Sequence, residues 1–385
     1  MKSINVRIQS IDLLRGIVMI VMALDHVRDF FHTESFVIDP TDLSKTNIAL
    51  FTTRWATHFC APIFMFLAGT SAFFMGQKKS KKELSGFLLS RGLWLIFMEL
   101  TIISFGWSFK LDLLNLDLAV IWALGACMIF LSGLVWLPFN AILIIGLLLV
   151  FGHNSLDTFH ISGNSIPAFV WKIFHEQGYG NIGSFKIFVF YPILSWIGVM
   201  ALGYCLGVLY VSDFDISKRK KILNTIGMSV IVIFIILRFS NIYGDAELWS
   251  KQSCFMFTVL SFLNTSKYPP SLLYLCMTIG PALLFLAYSE NIKTDFSNKI
   301  KIFGRVPMFF YILHLYLIHS GAILLLYFQG FNFTDTDNNV VTNYGLNLQM
   351  TYLVWILVII LLYPFCKWYD LYKSSHKENK WLSYL

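Results

Sequence analysis

The sequence predicts an all-α, polytopic integral membrane protein with about ten transmembrane helices and both termini cytoplasmic, and three observations lead there. Of its 385 residues, 57% are hydrophobic and only 13% charged, a balance too apolar for a water-soluble domain. Apolar windows long enough to cross a hydrocarbon core of about 30 Å recur along the whole chain. The basic residues gather at the ends of those windows.

The windows fall at residues 11–31, 55–76, 86–106, 118–135, 138–152, 186–211, 222–239, 270–289, 303–328 and 349–366. The first contains Asp25 and His26 and lacks a small-residue cleavage pattern, so it reads as a retained span rather than a signal peptide. The second opens with Arg54, His58 and Pro62 and carries Gly69 and Ser71, small residues that permit close helix approach. The fifth is short and begins at Pro138. Long connections cover residues 32–54, 153–185, 240–269 and 329–348, and one of them holds Ile166 to Phe174, apolar and aromatic enough for an interfacial helix. With no internal repeat and no low-complexity tract, residues 1–385 read as a single membrane domain.

Orientation follows from charge. A cytoplasmic N-terminus places Lys2, Arg7, Arg15, the lysines from Lys78 to Lys82, Arg91, the run Lys218 to Lys221, Lys293, Lys299, Lys301, Arg305, Lys367, Lys373, Lys377 and Lys380 on the inner side. These are most of the 29 Lys and Arg, although the outer connections are longer, which is the positive-inside pattern. The net charge of +7 is then a topology signal. Each basic cluster is short and abuts a span, so no nucleic-acid partner is implied; the lipid bilayer is the partner. The six cysteines are scattered without a C-x-x-C pair, which predicts buried thiols and gives no metal site.

Ionisable residues inside hydrocarbon are costly and mark reactive sites or ion pathways. Arg15 and His26 stand eleven residues apart, close to three helical turns, so they share one face about 16 Å apart. Asp25 and Asp29 lie within a turn of His26, and either carboxylate can fix the tautomer that a general base requires. His58 enters the second span at the level of His26. Glu99 lies deep in the third span, where a carboxyl needs protonation or a cation, with Arg54, His58 and His26 as candidates. Asp117 marks the entrance of the fourth span as a cap or an acceptor ligand. At the inner side Asp12 pairs with Arg15 one turn on, with Arg91 and Arg305 at similar depth, an arginine set able to hold phosphates bidentately. His314 lies near mid-membrane and His319, five residues later, diverges around the helix, which argues against a shared metal.

Asp12-x-x-Arg15-Gly16 followed by His26 resembles the Arg-x10-His signature of membrane-bound acyltransferases that modify sugars. The segment from Arg7 to Gly76 is similar to the catalytic domain of the heparan-alpha-glucosaminide N-acetyltransferase family, most closely its bacterial branch. Thr57 to Pro62, Lys267 to Ser271, and Phe303 to Pro307 with Tyr311 and His314 extend the likeness over nearly the full length. The resemblance implies a bacterial inner-membrane enzyme taking an acetyl group from cytosolic acetyl-CoA to a sugar amine or hydroxyl at the far face, without a metal. Homodimeric assembly is compatible with it. It also implies a catalytic histidine near the outer end of the first span: the Arg-x10-His spacing favours His26, and the register of the first outer loop favours His32. The expected site therefore comprises His26, Asp25, Asp29, His32, His58 and Glu99 for catalysis, Asp12, Arg15, Arg91, Arg305 and His314 for the donor, and Arg54 and Asp117 for the acceptor. The rival reading is a proton-coupled transporter or permease, since buried Asp, Glu, His and Arg also line ion paths.

Overall fold

The computed structural model describes residues 8–33, 35, 37–110, 112–331, 344–376, 378, 379 and 382. The topology charges Lys2, Arg7, Lys377 and Lys380 lie outside them. The chain is mostly helical. In order it forms α1 (Gln9–Phe31), α2 (Ile48–Thr57), α3 (Cys60–Gly76), α4 (Lys81–Met98), α5 (Ser104–Ser108), β1 (Asn115–Leu118), α6 (Val120–Leu134), α7 (Phe139–Gly152) and α8 (Ile166–Phe174). It continues through β2 (Gly178–Ile182), β3 (Phe185–Val189), α9 (Leu194–Leu206), α10 (Ile216–Ser240), α11 (Phe255–Leu263), α12 (Leu272–Ser289), α13 (Asp295–Arg305), α14 (Pro307–Phe328) and α15 (Leu348–Ser375).

Each predicted apolar window contains helix, the sixth only from Leu194 onward. Among the described residues seven helical stretches are long and apolar enough to cross a membrane: Ile48–Gly76, Lys81–Ser108, Phe139–Leu156, Ile216–Ser240, Leu272–Ser289, Pro307–Phe328 and Leu348–Ser375. Val120–Leu134 and Leu194–Tyr210 are apolar but shorter, and α1 spends its length on Asp12, Arg15, Asp25, Arg28 and Asp29. The helix expected at Ile166 to Phe174 is α8, started by Ser165, whose side chain accepts from the Ala168 N–H.

An all-α chain was expected, and the structure corrects this with a small sheet. Its order is β1-β3-β2, with β1 parallel and β2 antiparallel to β3. Asp117, expected as a helix cap, stands on β1 opposite Phe188. The Phe185–Val189 strand is rich in aromatic and β-branched residues, which suit a pleated surface and also continue an apolar window, so the sixth window was drawn too early.

The chain forms two compact units, each from separate stretches of sequence. One comprises Met1–Ile11, Ala61–Trp249 and Thr265–Ile292; the other comprises Asp12–Cys60, Ser250–Asn264 and Lys293–Leu385. In the first, helices meet at glycines. A Cβ on Gly92 would lie 2.6 Å from the Gly125 carbonyl oxygen, and one on Gly69 would lie 2.0 Å from that of Met200, so α4–α6 and α3–α9 touch backbone to backbone. In the second unit α1 and α13 do the same: a Cβ on Gly304 would lie 2.0 Å from the Asp12 carbonyl oxygen. The six cysteines are free thiols, five of them buried.

Candidate functional site

Both clusters of buried charge in the second unit are organised along α1. The later one surrounds His26. Its Nδ1 lies 2.7 Å from His314 Nε2 on α14, with the two rings 4.9 Å apart and nearly parallel. Tyr311, one turn before His314, meets His26 edge-on at 5.9 Å. The tautomers follow from the backbone. His314 Nδ1 lies 2.9 Å from the Phe310 carbonyl oxygen, which can only accept, so Nδ1 carries the proton. His314 Nε2 is then an acceptor and His26 Nδ1 its donor. The lone pair of neutral His26 is thereby placed on Nε2. A histidine thus does for His26 what a carboxylate does in a hydrolase triad: it fixes the tautomer and the ring.

Asp25 and Asp29, expected to orient His26, engage arginines. Arg54 of α2 donates to Asp25 Oδ2 at 2.6 Å. Arg28 Nη2 lies 2.8 Å from Asp25 Oδ1 and 2.6 Å from Asp29 Oδ1. Asp25 and Arg28 are buried, and two guanidiniums balance two carboxylates, which lowers the cost of holding the charges out of water. His32 is buried where the chain leaves α1, its backbone paired with Leu346. His58 is buried at the break between α2 and α3, and its backbone N–H donates to the Arg54 and Trp55 carbonyls.

The earlier cluster lies about 16 Å away along the helix, eleven residues towards its start. Arg15 Nη1 donates to the Gly304 carbonyl at 3.2 Å and lies 3.9 Å from Asp12. Arg305 approaches Asp12 at 3.5 Å and Asp370 of α15 at 3.2 Å. Lys301, a turn before Arg305 on α13, is buried as well. Burial first, and the Arg305 charge second, pull its ammonium below the usual lysine range, against the opposing pull of Asp12. The pairing of Asp12 with Arg15 and their company with Arg305 match the expectation; Asp370 and Lys301 were missed. Asp370 stands among the basic residues that follow the last window, and only its fold neighbours distinguish it.

The remaining expected residues belong to the first unit. Arg91 is half-buried on α4. Glu99 is buried at the end of α4, where the helix widens into a π turn over Glu99–Ile103. Its Oε2 accepts from the backbone N–H groups of Ile121 and Trp122, at 2.8 and 2.9 Å. These open α6, whose N-cap Ala119 has no side chain to offer, so a carboxylate from another helix caps α6 and meets the positive end of its dipole. Asp117, two residues before that cap, is exposed on its strand.

The family model described as heparan-alpha-glucosaminide N-acetyltransferase, catalytic, matches residues 7–239. That stretch includes Asp12, Arg15, Asp25, His26 and Arg54 and stops short of Arg305, His314 and Asp370. No curated protein matches the chain.

Proposed function

Because the chain belongs to the heparan-alpha-glucosaminide N-acetyltransferase catalytic-domain family, we propose that it is a membrane acetyltransferase that moves the acetyl group of cytosolic acetyl-CoA to a sugar amine or hydroxyl at the opposite face. The observation that carries this reading is the His26–His314 pair, which leaves a basic imidazole nitrogen on a membrane helix. In the proposed topology α1 and the two shorter helices join the seven longer ones as ten spans, both termini are cytoplasmic, and the membrane is a bacterial inner membrane.

Arg15, Arg305 and Lys301 set three cations against Asp12 and Asp370. This gathering of cations fits a site for the phosphates of acetyl-CoA. His26 Nε2 takes a proton from the acceptor amine or hydroxyl as that group attacks the thioester carbonyl. The carbon–sulfur bond breaks, and the proton passes from His26 to the departing thiolate, giving acetylated sugar and CoA. A positioned histidine base supplies about 10²–10⁴-fold in rate.

The test is purified protein with acetyl-CoA, a panel of amino and neutral sugars, and a thiol reagent that reports free CoA. Acceptor-dependent CoA release is expected. Protein that releases none with any acceptor, yet carries a labelled solute into liposomes, would overturn the assignment in favour of transport.

A further inference from the structure

The turn between α3 and α4 gathers Lys78, Lys79, Lys81 and Lys82. Its acid, Glu83, is already engaged: the Ser80 N–H and hydroxyl both donate to Glu83 Oε2 at 2.8 Å. The ion pairs among the described residues involve none of these lysines, and Lys78, Lys81 and Lys82 are exposed. Lys81 and Lys82 are moreover the first two residues of α4, where the helix dipole favours an anion over a cation. Like charges crowded there repel one another until an anion joins them. The basic run that opens α10 is balanced by contrast. Glu290 takes Arg219 with both oxygens, at 2.6 and 2.9 Å, and Asp213 and Asp215 precede it.

What covers the patch follows from its surroundings. Lys81 Nζ donates to the Trp136 carbonyl oxygen at 3.2 Å, so the turn between α6 and α7 stands beside the lysines, with Trp136 53% exposed and Leu137 and Phe139 exposed as well. Tryptophan and lysine together at the end of an apolar helix mark a membrane–water interface. The stretch Lys81–Ser108 is long and apolar enough to cross a membrane, and Lys82 heads a stripe of outward residues along it, Gly86, Leu89, Leu93 and Phe97, spaced three or four apart on one helix face. The stripe is bare just below the lysines, where a Cβ on Gly86 would meet nothing within 4 Å.

We infer that this patch binds the headgroup of an anionic phospholipid. The lysines take the phosphodiester oxygens, Trp136 lies at the level of the glycerol, and the acyl chains follow Leu89, Leu93 and Phe97 into the bilayer. A soluble phosphate would meet the charges and leave the apolar stripe unused, so charge and stripe together favour the lipid. The site is separate from the transfer chemistry and stands whether or not the protein moves acetyl groups.

The experiment gives delipidated protein in detergent either phosphatidylglycerol or phosphatidylcholine with the same acyl chains, and measures lipid retained per protein and melting temperature. Wild type is compared with Lys78→Gln/Lys79→Gln/Lys82→Gln and with Lys218→Gln/Lys220→Gln/Lys221→Gln, which sheds as many charges from the start of α10. Lys81 is kept because it holds the Trp136 carbonyl. The wild type is expected to retain phosphatidylglycerol over phosphatidylcholine by roughly 10-fold, the scale that a few lysines at an anionic surface reach, and to melt higher with it. The first variant should lose most of that preference and the second should keep it. A wild type without preference, a first variant that keeps it, or two variants that lose it alike overturns the proposal. Melting that rises as much with glycerol 3-phosphate or polyglutamate as with phosphatidylglycerol assigns the patch to a soluble anion or an acidic protein and overturns it too. Lys78→Arg/Lys79→Arg/Lys82→Arg leaves the charges in place and should behave as wild type; loss of the preference there also counts against the site.

Discussion

His26 and His314 meet nitrogen to nitrogen at 2.7 Å across two helices, and the Phe310 carbonyl decides which of the four ring nitrogens is basic. Replacing His26 by Ala should retain folding and acetyl-CoA binding while lowering kcat by about 10²–10⁴-fold. Replacing His314 by Phe should keep the stack on Phe310 but release His26 to turn, costing a part of the same factor. Single-turnover rates measured beside donor affinity separate the two roles; a fully active His26→Ala protein would remove His26 from the chemistry.

Glu99 should matter for folding. Substitution by Leu leaves the Ile121 and Trp122 N–H groups without their acceptor and should cost about 1–3 kcal/mol. Glu99→Gln retains an oxygen at the cap and should recover most of that. Thermal unfolding in detergent reads the difference, and a catalytic Glu99 would instead show Glu99→Gln stable and inactive.

Gly304 admits no side chain. An Ala there would push its Cβ to within 2.0 Å of the Asp12 carbonyl oxygen, and because that atom is backbone, α1 and α13 must separate. The expected cost is at least about 1–3 kcal/mol, with weakened acetyl-CoA binding, since Arg15 and Arg305 lose their spacing. Unaltered melting and donor affinity in Gly304→Ala would show that the contact yields without consequence.

The first unit contains an acid-sensitive tie. Burial raises the Asp157 carboxyl, but hydrogen bonds from His175 at 3.0 Å and Asn154 at 2.7 Å outweigh it and hold the group below the usual carboxylate range. A depressed folded pKa contributes stability that is complete above the unfolded carboxylate value of about 3.9 and is lost as the pH falls through the folded value. Melting temperature should therefore drop more steeply on acidification below about pH 5 in the wild type than in Asp157→Asn. Parallel curves would mean that Asp157 contributes nothing to acid sensitivity.

Much of the fold was legible in the sequence because hydrocarbon imposes a coarse rule: apolar runs of sufficient length become helices. Ile166 to Phe174 was legible for a similar reason, an apolar stripe with a serine start. The sheet was not, because β1 pairs with a strand some 70 residues later, and the apolar residues from Ile187 to Tyr191 are parted from the apolar stretch that forms α9 by Pro192 alone. Site residues on one helix, such as Asp12 with Arg15, could be paired from spacing alone. Partners across helices could not: nothing in the spacing of His314 and His319 points to His26. Glu99 illustrates the same limit, since its partners are backbone groups, and the hint was an absence, an alanine at the N-cap of α6.

The His26–His314 contact also sets an order of biogenesis. His26 and His314 are 288 residues apart, which at roughly 5–20 residues per second of synthesis is on the order of 15–60 s during which the first histidine is already made and its companion is not. The unit containing both closes only when Lys293–Leu385 arrives. A fragment ending where the family match ends, at residue 239, would carry the His26 imidazole with no second ring to fix it. The ring that fixes the His26 tautomer enters the chain only with α14.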